Sequence, residues 1–225
     1  MSLIETIFNP ISSFHHKRIF NYLKKFDIEK IIDIGAHKGE FLETMLKIEG
    51  VKSFYAFEPQ DDIFKILNKK FSKNKKISLF NYAIDKEITD KYLQINRLSM
   101  TSTLAKINDK SFYLKLKNFL TNSNSNFVKK YKVRTNTVDE IFRDLNLEKT
   151  LLKIDVEGFE MNVIKGSRRK LKEIPYILLE NQFGNHYQNN NFYEIEEFLD
   201  KEKFKILKKF IFPTMHYQDV LFKKI

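Results

Sequence analysis

The apolar positions of this chain change period along its length, and the changes mark an alternation of helices and strands. From Ile11 to Phe26 apolar residues fall at helical spacing (Ile11, Phe14, Ile19, Tyr22, Leu23, Phe26), which predicts a helix ahead of the first strand, covering one sheet edge. Ile31 to Ile34 predicts a short strand, Gly35 to Gly39 a tight turn, and Glu40 to Ile48 a helix stopped near Gly50. Ser53 to Phe57 is the second strand, ended by Pro59, and Asp61 or Asp62 can cap a helix running to about Phe71. Ile77 to Ala83 is the third strand. A polar stretch from Arg97 to Asn126, rich in Ser, Thr and Asn, then breaks the rhythm; one helix is expected inside it, from Leu104 to Leu120, and the whole reads as an inserted lid or loop. Thr137-Val-Asp-Glu140 has capping-box spacing before a helical stretch to Leu145. Strands at Leu151 to Val156 and Tyr176 to Glu180 flank a helix from Met161 to Lys165 that Gly166 stops. A helix from about Tyr193 to Lys201 and two strands, Phe204 to Phe212 and Tyr217 to Lys223, complete the order.

Strands alternating with helices predict an α/β protein with a mostly parallel sheet and helices on both faces. The last two strands are too close for a helical crossover and must be antiparallel. With no repeat and no linker, residues 1–28 are expected to form a helical cover and 29–225 a single domain.

Composition narrows the class. At 42% hydrophobic, with 22 Phe and 10 Tyr, the chain has ample material for a core, which excludes wholesale disorder. Zero cysteines exclude a disulfide scaffold, a thiolate nucleophile and Cys-bearing zinc or iron–sulfur sites. The formal charge is +11, yet only 6 of the 40 basic residues are Arg, the usual residue for bidentate phosphate and base recognition. The excess Lys therefore reads as a solvated surface and counts against a nucleic-acid partner, although the field would favour an anionic substrate. Met1 to Lys17 is broken by Glu5, Asn9, Pro10 and two His and does not read as a secretory signal; no apolar run approaches the roughly 18 residues of a membrane span. The expectation is a soluble, cytoplasmic protein of open oligomeric state.

In open α/β sheets ligands bind beyond the carboxyl ends of the strands, which directs attention to four segments. Asp33-Ile-Gly-Ala-His-Lys-Gly39 follows the first strand, Gly35 allowing a tight turn and close approach of a nucleotide-like ligand, and Gly39 close helix packing. Glu58-Pro59 ends the second strand, 23 residues beyond Gly35, where a carboxylate can accept from both ribose hydroxyls of an adenosine-containing cofactor. Lys153 and Asp155 lie two apart and face one side of a strand buried on both, so each needs a partner. Glu157 and Glu160 begin the next helix, where its dipole favours negative charge. Asp155, Glu180 and Asn181 could converge as oxygen ligands for a divalent cation such as Mg²⁺, the preferred alternative being that Glu180 pairs with Lys153 and no metal binds. His186 lies in the loop after Glu180, near the expected pocket; His15, His16 and His216 show no evident role.

These strand ends resemble the FkbM family of S-adenosylmethionine-dependent methyltransferases. The likeness runs from Ile31 to Asn181 through Asp33-Ile-Gly-Ala-His-Lys-Gly39, Phe57-Glu-Pro59, Asn81-Tyr-Ala-Ile84, Ser99-Met-Thr-Ser-Thr-Leu104, Val138-Asp-Glu140, Lys153-Ile-Asp-Val-Glu-Gly-Phe-Glu160, Ile164-Lys-Gly166 and Leu178-Leu-Glu180. His37 stands where the family usually has Asn. The resemblance implies a class I, Rossmann-like methyltransferase fold, a seven-stranded sheet with an antiparallel C-terminal hairpin. It also implies methyl transfer to a hydroxyl of a sugar, glycan or other small natural-product acceptor. Asp33, Gly35 and Gly39, with His37 in the same turn, would hold the methionine portion of the cofactor, Glu58 the ribose, and Asn81 and Ala83 the adenine neighbourhood. Asp155 would face the methyl group, and Asp155, Glu180 or His186 would be the base. An NAD-dependent oxidoreductase would share the Gly turn and the ribose acid but normally adds a substrate domain. A nucleic-acid methyltransferase fits the charge, but no Asn-Pro-Pro-aromatic motif follows the fourth strand. A catalytically silent cofactor-binding interaction protein is the third alternative.

Overall fold

The computed structural model describes residues 3–96, 103–105, 127–183, 191–213 and 217–225. A seven-stranded sheet forms the centre, built from β1 (Lys30–Ile34), β2 (Ser53–Phe57), β3 (Ile77–Phe80), β7 (Thr150–Ile154), β8 (Tyr176–Gln182), β9 (Phe204–Ile211) and β10 (Tyr217–Lys224) in the order β3-β2-β1-β7-β8-β10-β9. The five strands from β3 to β8 are mutually parallel, and β10 runs antiparallel to both β8 and β9. This is the sheet with an antiparallel final hairpin that the spacing predicts, and the fold is of the class I, Rossmann-like type. The order reverses between β1 and β7, so a ligand crevice is expected above their carboxyl ends.

Two apolar clusters cover the two faces, and the period of two in each strand sorts residues between them. Ile32, Ile34, Leu152, Ile154, Ile177, Leu179, Val220 and Phe222 point to the cluster covered by α4 (Val138–Ile141), α5 (Glu160–Lys165) and α6 (Phe192–Lys201). Ile31, Leu151, Leu178 and Leu221 point to the other, with α1 (Leu3–Leu23), α2 (Glu40–Met45) and α3 (Asp61–Phe71) over it. Parity therefore assigns Asp33, Lys153, Glu180 and Asp219 to the face beneath α1 and α2.

Several expectations need correction. Helix α1 begins near Leu3, passes through Pro10 and ends at Leu23 rather than Phe26. The strand expected from Ile77 to Ala83 is two: β3 stops at Phe80, and β4 (Ala83–Ile84) joins a second sheet of order β4-β6-β5, with β5 (Asp90–Asn96) and β6 (Phe127–Asn136) in an antiparallel ribbon. The fourth strand ends at Ile154, leaving Asp155 in the loop beyond. Of the expected lid, Arg97 to Asn126, only 103–105 lie within the described residues; Leu104 and Ala105 are not helical, and the rest of the helix expected to Leu120 lies outside them. Among the described residues no helix is long and apolar enough to cross a membrane.

Candidate active site

Backbone geometry shapes the crevice first. Gly35 (φ 85°) and Gly39 (φ 84°) adopt the left-handed conformation that glycine tolerates best. A Cβ on Gly35 would lie 1.8 Å from the carbonyl oxygen of Asp155, so this glycine is needed to seat the β1 turn against the β7 loop. A Cβ on Gly39 would meet Phe71 and Leu67 of α3, so the close approach this glycine permits is to α3 rather than between α2 and its strand.

Lys153 is buried, with its Nζ 3.0 Å from Asp33 Oδ1 and 3.2 Å from Asp155 Oδ2. Burial opposes its charge, but Asp155 and Asp33 outweigh that and hold its pKa above the usual lysine range. The expected pairing of Lys153 with Glu180 is replaced by these two bonds, because Asp33 is the direct register partner of Lys153 on β1.

Glu58 follows β2 and is buried. Its Oε2 accepts from His37 N–H at 3.0 Å and its Oε1 from Gln60 N–H at 2.8 Å. Burial pushes its pKa up to about 7 despite these donors. Asn81 Nδ2 donates to the Glu58 carbonyl at 3.0 Å. Tyr131 of β6 donates to the Pro59 carbonyl at 2.8 Å and accepts from Asp61 N–H at 3.0 Å, so the ribbon steadies the Glu58 loop. Ala83 is buried against Leu93 and Val133 in that ribbon's own cluster. His37 (φ 48°) sets its Nδ1 3.4 Å from Glu40.

At the other side of the crevice, carboxylate oxygens of Asp155, Glu157 and Glu180 lie within 4.8 Å of one another. Glu180 and Glu157 both accept from Gln182 Nε2. Burial and the neighbouring Asp155, Glu157 and Asp219 raise the pKa of Glu180 well above the usual carboxylate range. Parity puts Asn181, one residue along β8, on the face opposite Glu180, and the third carboxylate here is that of Glu157, which has a left-handed backbone (φ 55°). Thr103 donates to the Glu157 carbonyl at 2.7 Å, tying the described part of the expected lid to this turn. Glu160 opens α5; its Oε1 accepts from Gly158 N–H, its Oε2 is buried without a partner, and burial lifts its pKa to about 7.

His186 and His216 lie outside the described residues. His15 and His16, for which the sequence suggested no role, turn out to be inward-facing groups near the site. His15 Nε2 lies 2.6 Å from Asp219 Oδ2, and Asp219 is the register partner of Glu180. Only an i, i+1 pair of histidines in an otherwise acid-free helical stretch hinted at this.

A doubly covered sheet with a Gly turn after β1, an acid after β2 and a carboxylate group beyond β7 and β8 has the arrangement of the class I methyltransferase fold. Residues 33–206 match the methyltransferase FkbM domain, and the chain belongs to that family. Among solved structures it resembles the methyltransferase domain of bacterial CtHen1-C at 10% identity, with a TM-score of 0.54 over 95% of this chain and 98% of that one. It also resembles a SAM-dependent methyltransferase from Leishmania major, at 8% identity and TM-score 0.51, over 96% of this chain and 72% of that one. Comparison with curated protein sequences found no match.

Proposed function

We propose that this methyltransferase moves the methyl group of S-adenosylmethionine to a hydroxyl of a sugar, glycan or other small acceptor. The observation that carries the cofactor reading is Glu58: a buried carboxyl beside the β1 turn, its two oxygens oriented by His37 and Gln60 N–H groups. Such an acid suits the paired hydroxyls of a ribose, which donate to it without bringing charge. Asp33 Oδ2, buried without a partner beneath the same turn, is a second group that a ligand would satisfy. These residues fit the cofactor: Asp33, Gly35, His37 and Gly39 toward its methionine end, Glu58 at the ribose, and Asn81 with the Ala83 backbone toward the adenine.

When bound, the cofactor supplies an electrophilic methyl on a sulfonium. The chain's task is to align an acceptor oxygen with it and take the hydroxyl proton. Asp155 and Glu180 stand closest to that task on the β7–β8 side, with His186 as the third candidate. Lys153 holds the Asp155 carboxylate in place from 3.2 Å, while burial and the acids around Glu180 raise its affinity for a proton, as a base requires. The same carboxylates holding Mg²⁺ is the other way to lower the acceptor's pKa.

Calorimetry with S-adenosylhomocysteine and with NAD tests the cofactor. Binding of the first and not the second is expected; the reverse would make the chain an oxidoreductase. A panel of hydroxylated acceptors with labelled cofactor then tests the hydroxyl.

A further inference from the structure

Helix α1 precedes the matched residues 33–206, so the family likeness does not account for what it carries. His15 is fully buried, bonded to Asp219, with its ring edge-on against Phe212 and Tyr217. That bond joins α1 to β10 and sets how the helix is turned about its axis. His16, the next residue, packs edge-on against Phe41 with ring centroids 5.7 Å apart. Lys153 Nζ sits over the same ring, 5.2 Å from its centroid. Phe41 is in the first turn of α2, so His16 lies against the β1–α2 turn that contains Gly35 and Gly39.

The imidazole of His16 is unusual in two respects. Its Nδ1 is buried and has no hydrogen-bond partner, an arrangement folding alone does not favour. Burial, helped by Lys153 and His15 and opposed by Asp155 and Glu40, lowers its pKa to about 4, so the ring is neutral at ordinary pH. A neutral imidazole protonated on Nε2 presents Nδ1 as an acceptor.

We propose that His16 contacts the cofactor, its Nδ1 accepting a hydrogen bond from the α-ammonium group at the methionine end of S-adenosylmethionine. The inference rests on the reading that the β1–α2 turn holds that end. A neutral acceptor pairs with an ammonium where a second cation beside Lys153 would repel it. His15 and Asp219 form the positioning link that delivers His16 to the turn.

The test compares two ligands by calorimetry: S-adenosylhomocysteine, and 5′-methylthioadenosine, which keeps the adenosine and sulfur but lacks the amino-acid end. His16→Phe, which keeps the ring and removes the acceptor, should weaken the first by about tenfold or more and the second by less than about twofold. His16→Asn, whose amide oxygen can stand near the Nδ1 position, should recover most of the loss. A second measurement needs no variant: in ¹⁵N-histidine-labelled protein the His16 Nδ1 resonance should move with S-adenosylhomocysteine and stay with methylthioadenosine. A folded His16→Phe that binds both ligands like the parent, or loses both equally, overturns the inference, as does an Nδ1 resonance indifferent to S-adenosylhomocysteine. A parent protein that binds neither ligand overturns the cofactor reading itself, and this inference falls with it.

Discussion

Lys153 and Asp33 are register partners across the parallel β1–β7 pair, and their side chains meet at 3.0 Å on the face beneath α1 and α2. The same ammonium reaches Asp155 at 3.2 Å just past the strand end. One buried cation thus joins the floor of the crevice to the residue expected to face the reacting methyl. Removing one partner of a buried pair leaves an uncompensated charge, which makes this link the most sensitive to substitution.

Lys153→Met should therefore destabilise the protein by about 3–5 kcal/mol in urea unfolding. Adding Asp33→Asn should return part of that loss, since the stranded carboxylate is then gone. Strict additivity of the two changes would show that the pair is not coupled.

Glu58 carries a pH signature. Its folded pKa of about 7 lies above its ordinary 4.5, so the proton is bound more tightly in the folded state. Its favourable contribution is complete below about 4.5 and is lost as pH rises through about 7, to the extent of about 3 kcal/mol at most. Relative to Glu58→Gln, the parent should lose stability across that window, measured as the difference in unfolding free energy. S-adenosylhomocysteine affinity of the parent should rise over the same interval, because the ionised carboxylate is the better acceptor, and Glu58→Gln should bind more weakly with no such rise.

Gly35→Ala combines an unfavourable φ with a collision against the Asp155 carbonyl. A destabilisation on the order of 2–4 kcal/mol is expected. Any loss of cofactor affinity should follow from displacement of the β7 loop. A thermally unperturbed Gly35→Ala would contradict the close seating of these two turns.

Asp155→Asn and Glu180→Gln should lower kcat while leaving S-adenosylhomocysteine affinity nearly intact, because proton removal matters most in the transition state. The residue that is the base should cost roughly 10²- to 10⁴-fold, with His186→Ala as the comparison. If Mg²⁺ takes part, chelation should abolish turnover and added Mg²⁺ restore it. Full rates in chelator and in both carboxylate variants would leave alignment alone as the mechanism.

The sequence by itself determined the main sheet and the rim of the crevice. Seven strands, their alternation with helices and the closing hairpin follow from periodicity and from Gly and Pro positions, since these are local properties of the chain. That Gly35, Glu58 and Asp155 sit at or just past strand ends was legible because strand boundaries are local features of the pattern. The β5–β6 ribbon escaped because only one side is covered: Leu93 and Val133 are buried, while Lys130, Lys132 and Arg134 dilute the apolar pattern. Tertiary structure alone decided the pairings. Strand order and register, set by packing between distant segments, put Asp33 and not Glu180 against Lys153. The period of two then turned Asn181 away from Glu180. His15 meets Asp219, some 200 residues later, because β10 returns antiparallel beside Glu180, and His16 meets Phe41 of α2, closeness in space that no local pattern encodes.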